Sequence, residues 1–492
     1  MASTNILRHI RNYSSAGTLS ALAGVVSFPI LTRNLTVEEY GILGLITATA
    51  TLFIAVGKLG FQHAVIRFYA QIIHSDSDWS SRQLHSTVIT VFGLLAMGTV
   101  AVWLLSGFLI VPKALNNDML GPLFLVGSGY LLVRLFGSAF LNFLRASERS
   151  GKVATTQITG RYLYIGFVLC VLFISDIRPL TVLACMLVAE IIAFGVSVNF
   201  YRDKLTFSLS EFRGSLASSM FVYGLPLMVL ETLGLLLRLT DRYLIQGMLG
   251  EVELGMYSAS YNLTGYLEII VIATVAQSLR PLYMKLWERD GPEPTREFLS
   301  DTFRIYLSVG IPMVAIFSAT APHLLNFLAS PKFAPGTVII PFVTMSIMFD
   351  GAVQWLGAGL YIKRNTQTLM FWSFVAFVTN LVLNILVIPH FGILGASIVT
   401  VVSFLIFLVG VGVSAAKYLS FEIDWVTPSI IAVMSTVVYL LLTQLDFGPD
   451  LVNLIAKGLI GSGFCLVGLM VIDKRVSEQL LTSIRSRIRR SA

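Results

Sequence analysis

Charged residues are scarce in this sequence. Asp, Glu, Lys and Arg together make up 12% of the 492 residues, whereas 55% are hydrophobic. Soluble proteins carry about 25% charged residues on average, and a soluble fold of this size needs far more polar surface to cover its core. The shortage of charge excludes a soluble globular protein and predicts an all-α integral membrane protein.

Cysteine is also rare. The chain has three cysteines, and each lies inside an apolar run without the spacing of a metal site: Cys170, Cys185 and Cys465. This pattern is typical of small buried residues, whereas disulfide frameworks and zinc sites need paired cysteines. We therefore predict no metal site.

Several catalytic motifs are missing. The sequence contains no GxxxxGK[ST] phosphate-binding loop, no HExxH and no GxSxG. The loops predicted on the outer face are short, whereas membrane enzymes that act on carbohydrate there need a substantial external loop or domain. We therefore predict that the protein is not an enzyme, that it has no catalytic residue and that it binds no cofactor.

Long apolar runs dominate the chain. A membrane-spanning helix needs about 20 mostly apolar residues, and such segments must be helical because lipid satisfies no backbone groups. We predict about 14 transmembrane helices, at residues 14–34, 41–71, 84–111, 119–144, 153–175, 180–200, 216–246, 252–282, 301–327, 336–361, 368–388, 392–418, 426–443 and 451–472.

Lysine and arginine are distributed unevenly between the two sides of these segments. With the N-terminus in the cytoplasm, most basic residues fall in inner segments, including six after Val471, and the outer loops hold only Arg33, Lys113, Arg178 and Lys332. Because cytoplasmic loops carry the excess of basic residues, both termini are predicted to be cytoplasmic. Anionic lipid accounts for the basic tail, so no nucleic-acid partner is predicted.

Two linkers share a pattern. "LTRNLTVEEYGILG" opens the second predicted span and "IQGMLGEVELGMYS" opens the eighth, and a constant offset pairs Leu35 with Leu249, Glu39 with Glu253 and Gly41 with Gly255. Transporters built from repeats bind their substrate between the repeats. We predict two pseudo-symmetric six-helix lobes around a central cavity, residues 1–213 and 214–420, followed by two extra helices and a basic cytoplasmic tail in residues 421–492.

Three junctions resemble a known family. "GLPLMVLETLGLLLRLTDRYLIQGMLGEVELGMYSASYNL", "NLVLNILVIPHFGILGASIVTVVSFL" and "RNLTVEEYGILGL" are similar to the span 7, span 11–12 and span 1–2 regions of bacterial polysaccharide exporters. These are the Wzx-type lipid-linked oligosaccharide flippases, within the superfamily that also contains multidrug and toxin extruders. The motifs are structural, so they identify the superfamily better than its cargo.

The resemblance implies a function and a location. It implies translocation of polyprenyl-pyrophosphate-linked oligosaccharide to the outer leaflet of the bacterial cytoplasmic (inner) membrane, by alternating access, for O-antigen, capsule or exopolysaccharide. The expected driving force is an H⁺ or Na⁺ gradient. The expected partners are the lipid-linked oligosaccharide, membrane lipids and other polysaccharide-assembly membrane proteins.

Buried polar residues of the first lobe suit an anionic, sugar-bearing cargo. Ionisable side chains facing lipid cost about 3 kcal/mol on insertion scales, so they face the bundle interior. Guanidinium groups give bidentate hydrogen bonds to phosphate and keep their proton. The predicted substrate-binding residues of this lobe are Arg67, Tyr130, Arg134, Asn142 and Arg161, and Glu190 is a candidate for ion coupling or charge pairing.

Span 7 carries its own charged stripe. Glu231, Arg238 and Arg242 fall within about 40° of one another at 100° per residue. We predict that Arg238 binds substrate, with Glu231 and Asp241 as its partners or as coupling groups, and that Gly224 and Pro226 let the helix bend. Glu268 and Asp350 are the coupling candidates of the second lobe.

Other interpretations stay open at this point. The arginines could serve as struts between helices or reach the membrane surface with their head groups. A multidrug or organic-cation antiporter of the same superfamily is the first alternative, but spans 1–5 contain no carboxylate at mid-membrane depth. A polymerase or ligase of polysaccharide assembly is the second.

Overall fold

The computed structural model describes residues 2–74, 78–110, 120–268 and 274–472. Within these residues all regular elements are helices and no strand occurs, which confirms the predicted all-α class. Contacts divide the chain into two compact units, residues 1–258 and 259–492. The predicted lobe boundaries at 213 and 420 were drawn from the internal repeat and stay a prediction.

The helices of the first unit follow one another with short connections. They are α1 (Ala2–Asn34), α2 (Val37–Gly57), α3 (Phe61–His74), α4 (Ser81–Leu105) with a π-helical turn at Ser106–Ile110, α5 (Leu120–Ala146), α6 (Ser150–Ile174), α7 (Pro179–Tyr201), α8 (Gly214–Met248) and the first part of α9 (Glu251–Leu267).

The second unit begins within α9. Its other helices are α10 (Thr274–Asp290), α11 (Pro292–Leu328), α12 (Ile340–Leu356) preceded by a 3₁₀ segment at Pro331–Ile339, α13 (Ala358–Ile362), α14 (Thr366–Ala416), α15 (Val426–Gln444) and α16 (Asp450–Ile472).

Eleven helical segments within the described residues are long and apolar enough to cross a membrane, so the chain is a multi-pass membrane protein and the predicted count of 14 is approximate. The predicted spans 368–388 and 392–418 form one 51-residue helix, α14, with non-helical dihedral angles at Gly392 (φ 58°, ψ −146°). The predicted span 14–34 lies within α1, which is not among the eleven. The predicted span 252–282 lies partly outside the described residues, and Lys113 lies wholly outside them.

Side-chain caps fix the starts of two helices in the first unit. Thr36 accepts a hydrogen bond from the backbone N–H of Glu39, and the Glu39 carboxylate accepts one from the N–H of Thr36. Ser80 and Gln83 make the same reciprocal pair before α4. These capping boxes satisfy backbone donors that the first turn of a helix leaves without partners.

The two glycines paired by the internal repeat meet in space. A Cβ atom added to Gly41 would lie 2.6 Å from the carbonyl oxygen of Glu251, and one added to Gly255 would collide with the carbonyl of Val37. Val37 and Glu251 are themselves separated by the repeat offset. Contacts of this reciprocal kind are those that a two-fold axis produces. The starts of α2 and α9 therefore cross at a distance that only glycine permits.

The first unit contains a buried core that is rich in aromatic residues. Phe92, Phe143 and Tyr201 are fully buried, and the rings of Phe143 and Tyr201 stack 5.1 Å apart. Leu216 and Met220 from the start of α8 are buried in the same cluster. The first turns of α8 are therefore part of the core that α3, α4, α5 and α7 form.

Candidate functional site

A three-residue turn interrupts the second predicted span, between α2 and α3. Its backbone has φ values of 45° at Leu59 and 76° at Gly60, in the left-handed region that favours glycine. Helix interruptions at membrane depth are tolerated where they are buried in protein or line a cavity. Here the turn places Lys58 in the wall of a cavity.

This cavity has a volume of about 410 Å³ and lies wholly within the first unit. Side chains of α3, α5, α6 and α8 line it together with the turn. Its polar lining consists of Lys58, Gln62, His63, Arg134, Ser138, Asn142, Arg145, Gln157 and Glu231, and its apolar lining of Leu141, Leu227 and Leu230.

Glu231 is the carboxylate of this lining. Its Oε2 accepts a 2.7 Å hydrogen bond from Nε2 of Gln62 and lies 3.3 Å from Nε2 of His63. The side chains of His63 and Glu231 are 41% and 39% exposed, so the pair faces the cavity. The pair therefore connects α8 to α3 at the cavity wall and leaves the carboxylate accessible.

Arg134 forms an ion pair with Glu190, which is not among the lining residues of the cavity. Nη1 of Arg134 lies 2.8 and 3.0 Å from the two carboxylate oxygens of Glu190, which is 14% exposed. The arginine side chain is 40% exposed, and among the described residues its guanidinium bonds through Nη1 alone. The ion pair thus orients the guanidinium and leaves its other edge available to a ligand in the cavity.

The positive charge of the cavity exceeds its negative charge. Lys58, Arg134 and Arg145 are the basic residues of the lining, whereas Glu231 is its one carboxylate within the described residues. Counting Glu190, which pairs with Arg134, still leaves three basic groups against two carboxylates. Arg145 donates a 3.1 Å hydrogen bond to Oδ1 of Asn142, whereas Lys58 has no hydrogen bond or ion pair among the described side chains. Such a site suits an anion.

The structure brings three of the predicted site residues together in this cavity: Arg134, Asn142 and Glu231. Glu190, predicted as a coupling or pairing group, is the partner of Arg134. Tyr130 and Arg161 are not among the lining residues. Their role in binding stays a prediction.

Other predicted residues have different surroundings. The guanidinium of Arg67 lies 4.3 Å from the ring centre of Tyr223, a cation–π geometry. Asp241 is fully buried and accepts a 2.7 Å hydrogen bond from Tyr257. Arg238 is not among the lining residues of the cavity.

The two coupling candidates of the second lobe, Glu268 and Asp350, lie in the second unit. In the same unit, Arg280 donates a 2.7 Å hydrogen bond to Gln354 and lies 4.0 Å from the ring centre of Tyr361.

Sequence reasoning missed Lys58 and Gln62 and treated Arg145 as a loop residue. The signal for Lys58 was present, because "GKLG" puts a charge between two glycines in the middle of an apolar segment. Such a pattern is typical of discontinuous helices, whose broken ends lie at binding sites. For Gln62 the sequence has no comparable signal, since its partner Glu231 is 169 residues away.

Comparison with known proteins identifies the family. Residues 6–287 match the family described as polysaccharide biosynthesis protein. The chain belongs to this family. The match covers more than half of the sequence and confirms the predicted resemblance to polysaccharide exporters at the level of the family.

Individual relatives of this polysaccharide biosynthesis family member are distant. An uncharacterized membrane protein of Methanocaldococcus jannaschii is 24% identical over 301 residues, which are 58% of this chain and 57% of the relative. The Man(5)GlcNAc(2)-PP-dolichol translocation protein RFT1 of Saccharomyces cerevisiae is 23% identical over 145 residues, 27% of this chain and 25% of that protein. The chain thus spans little more than half of the first relative and a quarter of the second.

Solved structures share the fold. Lipid II flippase MurJ in an inward closed conformation matches with a TM-score of 0.76 and 14% identity, over 96% of this chain and 99% of that chain. An inward-facing multidrug resistance MATE transporter of the MOP superfamily matches with a TM-score of 0.67 and 12% identity, over 82% and 94%. These relatives are named as flippase, translocation protein and transporter, which agrees with the expectation that the chain is not an enzyme.

Proposed function

We propose that the protein flips polyprenyl-pyrophosphate-linked oligosaccharide from the cytoplasmic to the outer leaflet of the bacterial cytoplasmic membrane, by alternating access. The observation that supports this most is the cavity of the first unit, where Lys58 and one edge of Arg134 face open space. The product belongs to a cell-surface polysaccharide such as O-antigen, capsule or exopolysaccharide. Both termini are cytoplasmic in this proposal.

The pyrophosphate is the part of the cargo that this charge selects. Arg134 offers a planar donor edge, and Lys58 adds a compact ammonium group beside it. An ionised group buried without a counter-charge is costly, so an anion in the cavity removes a cost that the empty site carries. Organic cations have the opposite electrostatic preference.

The uncharged lining suits the sugars. Ser138, Asn142 and Gln157 provide hydroxyl and amide groups along one side of the cavity. Donor and acceptor groups of this kind match the hydroxyls of an oligosaccharide. The polyprenyl tail needs no protein pocket, because it stays in the bilayer.

Ion coupling is assigned in this proposal to the carboxylate of the cavity. Glu231 is accessible from the cavity and lies 3.3 Å from His63, so a proton can neutralise its carboxylate or a cation such as Na⁺ can balance its charge. The arrival of an anionic cargo favours uptake of a positive charge at Glu231, which links cargo to ion. Arg67, Tyr130, Arg161 and Arg238 are further cargo contacts in this proposal, and Asp241, Glu268 and Asp350 are further coupling groups.

Relatives support the cargo class without establishing it. The names of two of them refer to lipid II and to a dolichol-linked oligosaccharide. The membrane lipids and the other membrane proteins of polysaccharide assembly are the partners that this function requires.

The test uses purified protein in liposomes with a polyprenyl-pyrophosphate disaccharide labelled on its sugar, and a membrane-impermeant quencher reports flipping. Arg134→Ala and Lys58→Ala each remove a charged hydrogen-bond donor worth about 1.5–3 kcal/mol, so cargo affinity falls about 10- to 100-fold at 1.4 kcal/mol per factor of ten. Arg134→Lys restores part of it, because lysine lacks the planar fork.

The matched control is Arg82→Ala, at an exposed arginine of α4 outside the cavity, and it leaves flipping unchanged. Normal flipping by both cavity variants contradicts the proposal. Uptake of tetraphenylphosphonium in place of the labelled lipid identifies a cation antiporter instead. A change in glycan length, detected by chromatography, identifies a polymerase or ligase.

A further inference from the structure

A histidine joins α11 to α16 at the predicted outer end of the second unit. Nδ1 of His323, in α11, lies 2.8 Å from Oδ1 of Asp450, the first residue of α16. On the other side of the ring, Nε2 of His323 lies 2.9 Å from Nζ of Lys457. The imidazole therefore lies between a carboxylate and an ammonium group of the same neighbouring helix.

These two neighbours determine where the imidazole can take up a proton. A carboxylate oxygen accepts hydrogen bonds, so the proton on Nδ1 points to Asp450. An ammonium group only donates, so Nε2 accepts an N–H of Lys457. The ring is neutral in this arrangement, and Nε2 is the atom that can bind a further proton.

The histidine is reachable from the end of the helices, whereas the lysine is not. The side chains of His323 and Asp450 are 20% and 39% exposed, but Lys457 is 4% exposed. Lys457 lies about 10 Å further into α16 than Asp450, at 1.5 Å per residue. Within the described residues, His323 is the one hydrogen-bond partner of its ammonium group. Ionisable groups inside membrane-spanning helices are costly and mark ion and proton pathways.

Acidic groups outnumber basic ones around His323. Asp446, in the loop before α16, acts electrostatically on both His323 and Lys457. The amide of the fully buried Asn453 donates a 2.8 Å hydrogen bond to Oδ1 of Asp446, which lowers the pKa of that carboxyl group and keeps it ionised. Two carboxylates, Asp446 and Asp450, therefore accompany one ammonium group while the imidazole is neutral. A proton on His323 balances the charge.

The other elements packed against α11 place their titratable groups elsewhere. In α15 the titratable residue is Tyr439, which packs against an apolar cluster. In the 3₁₀ segment it is Lys332, whose ammonium lies 5.5 Å from the ring centre of Phe333. Asp350 lies about 15 Å along α12 from its first residue, and α10 joins the opposite end of α11. The charged groups around His323 are thus the three described above.

We propose that His323 is a proton-binding site of the second unit, and that its protonation separates part of α16 from α11. A proton from water adds to the lone pair of Nε2, which changes from an acceptor to a donor. The hydrogen bond from Lys457 is then lost, and two positive charges repel each other across the former bond. The link to Asp450 becomes an ion pair and stays. The deeper link at Lys457 breaks, so α16 moves away from α11 beyond its first turns.

The inference rests on the proposed function for its place in transport, and it adds a coupling site apart from Glu231. Glu231 lies in the first unit, whereas His323 lies in the second. Because the acceptor is an imidazole nitrogen, the ion that it binds is a proton. In the predicted orientation, this proton comes from the outer side of the membrane.

Proton binding can be measured without transport, by solid-state NMR of protein labelled with ¹⁵N-histidine. The Nε2 resonance of His323, assigned by its absence in His323→Gln, should move as the pH is lowered from about 8 to about 5. His390→Gln is the matched control, because His390 is an exposed histidine of α14 in the same unit, and it leaves this change intact. A His323 resonance that stays constant over this range overturns the proposal.

Cys465 reports whether α16 separates from α11. It is buried in one cluster with Ala319, which lies one helical turn from His323, and Cys170→Ser with Cys185→Ser leaves it as the single thiol. In this background, the thiol reagent 2,2′-dithiodipyridine should label Cys465 about tenfold faster at pH 5 than it does after His323→Gln, because local opening exposes the thiol. Comparison at equal pH removes the pH dependence of the thiol itself.

Two variants define what this labelling means. Glutamine at position 323 can donate and accept hydrogen bonds but binds no proton, so His323→Gln keeps α16 in place at every pH. Lys457→Met should remove the acid-induced labelling, because no ammonium group then opposes the proton, while the NMR change at His323 remains. Equal labelling of Cys465 at pH 5 with His323 and with glutamine overturns the proposal.

Flipping of the labelled lipid separates this inference from the proposed function. Acidification of the outer side should accelerate flipping by the unmodified protein but not by His323→Gln. Proton binding and labelling without any flipping leave the site in place and contradict the proposed function instead. Flipping with the same pH dependence in both proteins contradicts the coupling role of His323 and leaves the proposed function in place.

Discussion

At the scale of single residues, Gly60 determines the shape of the site. Its φ of 76° is unfavourable for side chains with a Cβ atom, and a Cβ atom there would collide with the carbonyl of Gly224. The turn that carries Lys58 into the cavity therefore depends on a residue that contributes no chemistry of its own. Loss of the turn would take Lys58 out of the cavity wall and separate α3 from α8.

We expect Gly60→Ala to destabilise the protein by more than about 1 kcal/mol, because alanine at a positive φ adds strain and the collision adds to it. The measurement is the thermal unfolding midpoint in detergent together with flipping of the labelled lipid. Gly195→Ala in α7 is the control, since a Cβ atom there meets nothing within 4 Å, and it lowers neither the midpoint nor flipping because alanine favours the helix. An unchanged midpoint in Gly60→Ala shows that the turn tolerates a side chain.

At the scale of elements, an ion pair whose strength depends on pH joins Arg149, just before α6, to Asp203, just after α7. The hydrogen bonds from Arg149 lower the pKa of Asp203 to about 2. An unfolded aspartate has a pKa of about 3.9. A lowered pKa in the folded state means that the pair stabilises the protein above about pH 4, and that this stabilisation disappears as the pH falls through about 2.

The change Asp203→Asn should lower the unfolding midpoint by the same amount at every pH between 8 and 5. Below pH 4 the difference between the variant and the unmodified protein should shrink, and it should vanish near pH 2. Thermal unfolding across this pH range measures it. Asp176→Asn, in the exposed loop between α6 and α7, serves as the comparison, and a difference that grows towards acid pH contradicts the assignment.

The helices also show which features of the fold can be predicted from the sequence. Apolar run length predicts most of the spans to within a few residues, because hydrocarbon thickness fixes the length of a crossing helix. The turn at residues 58–60 was not predicted, because the hydropathy averaged over a long apolar segment hides the contribution of Lys58 and of the two glycines in "GKLG". Glu190 was identified as a buried charge, but its position behind Arg134 depends on the packing of α5 against α7, which helical periodicity within each segment does not predict.

At the scale of the whole molecule, the distribution of basic residues among the loops predicts which side of the membrane each loop faces. Reporter fusions placed next to the ends of helices test this orientation. Reporter fusions after Arg149, between α5 and α6, and after Arg289, at the end of α10, should report the cytoplasm. A fusion after Pro331, between α11 and α12, should report the outer face. The excess of lysine and arginine on one side is the physical reason. An outer-face signal at Arg149 contradicts the predicted orientation.

The crossing of α2 and α9 has a consequence for how the two copies of the repeat diverge. Gly41 and Gly255 lie on the two facing sides of this crossing, since each faces the backbone of the helix that carries the other. A larger side chain in one copy cannot be relieved by a smaller one in the other, because glycine is already the smallest residue. The crossing of α2 and α9 therefore requires glycine in both copies of the repeat, and neither copy can accept a substitution at this position.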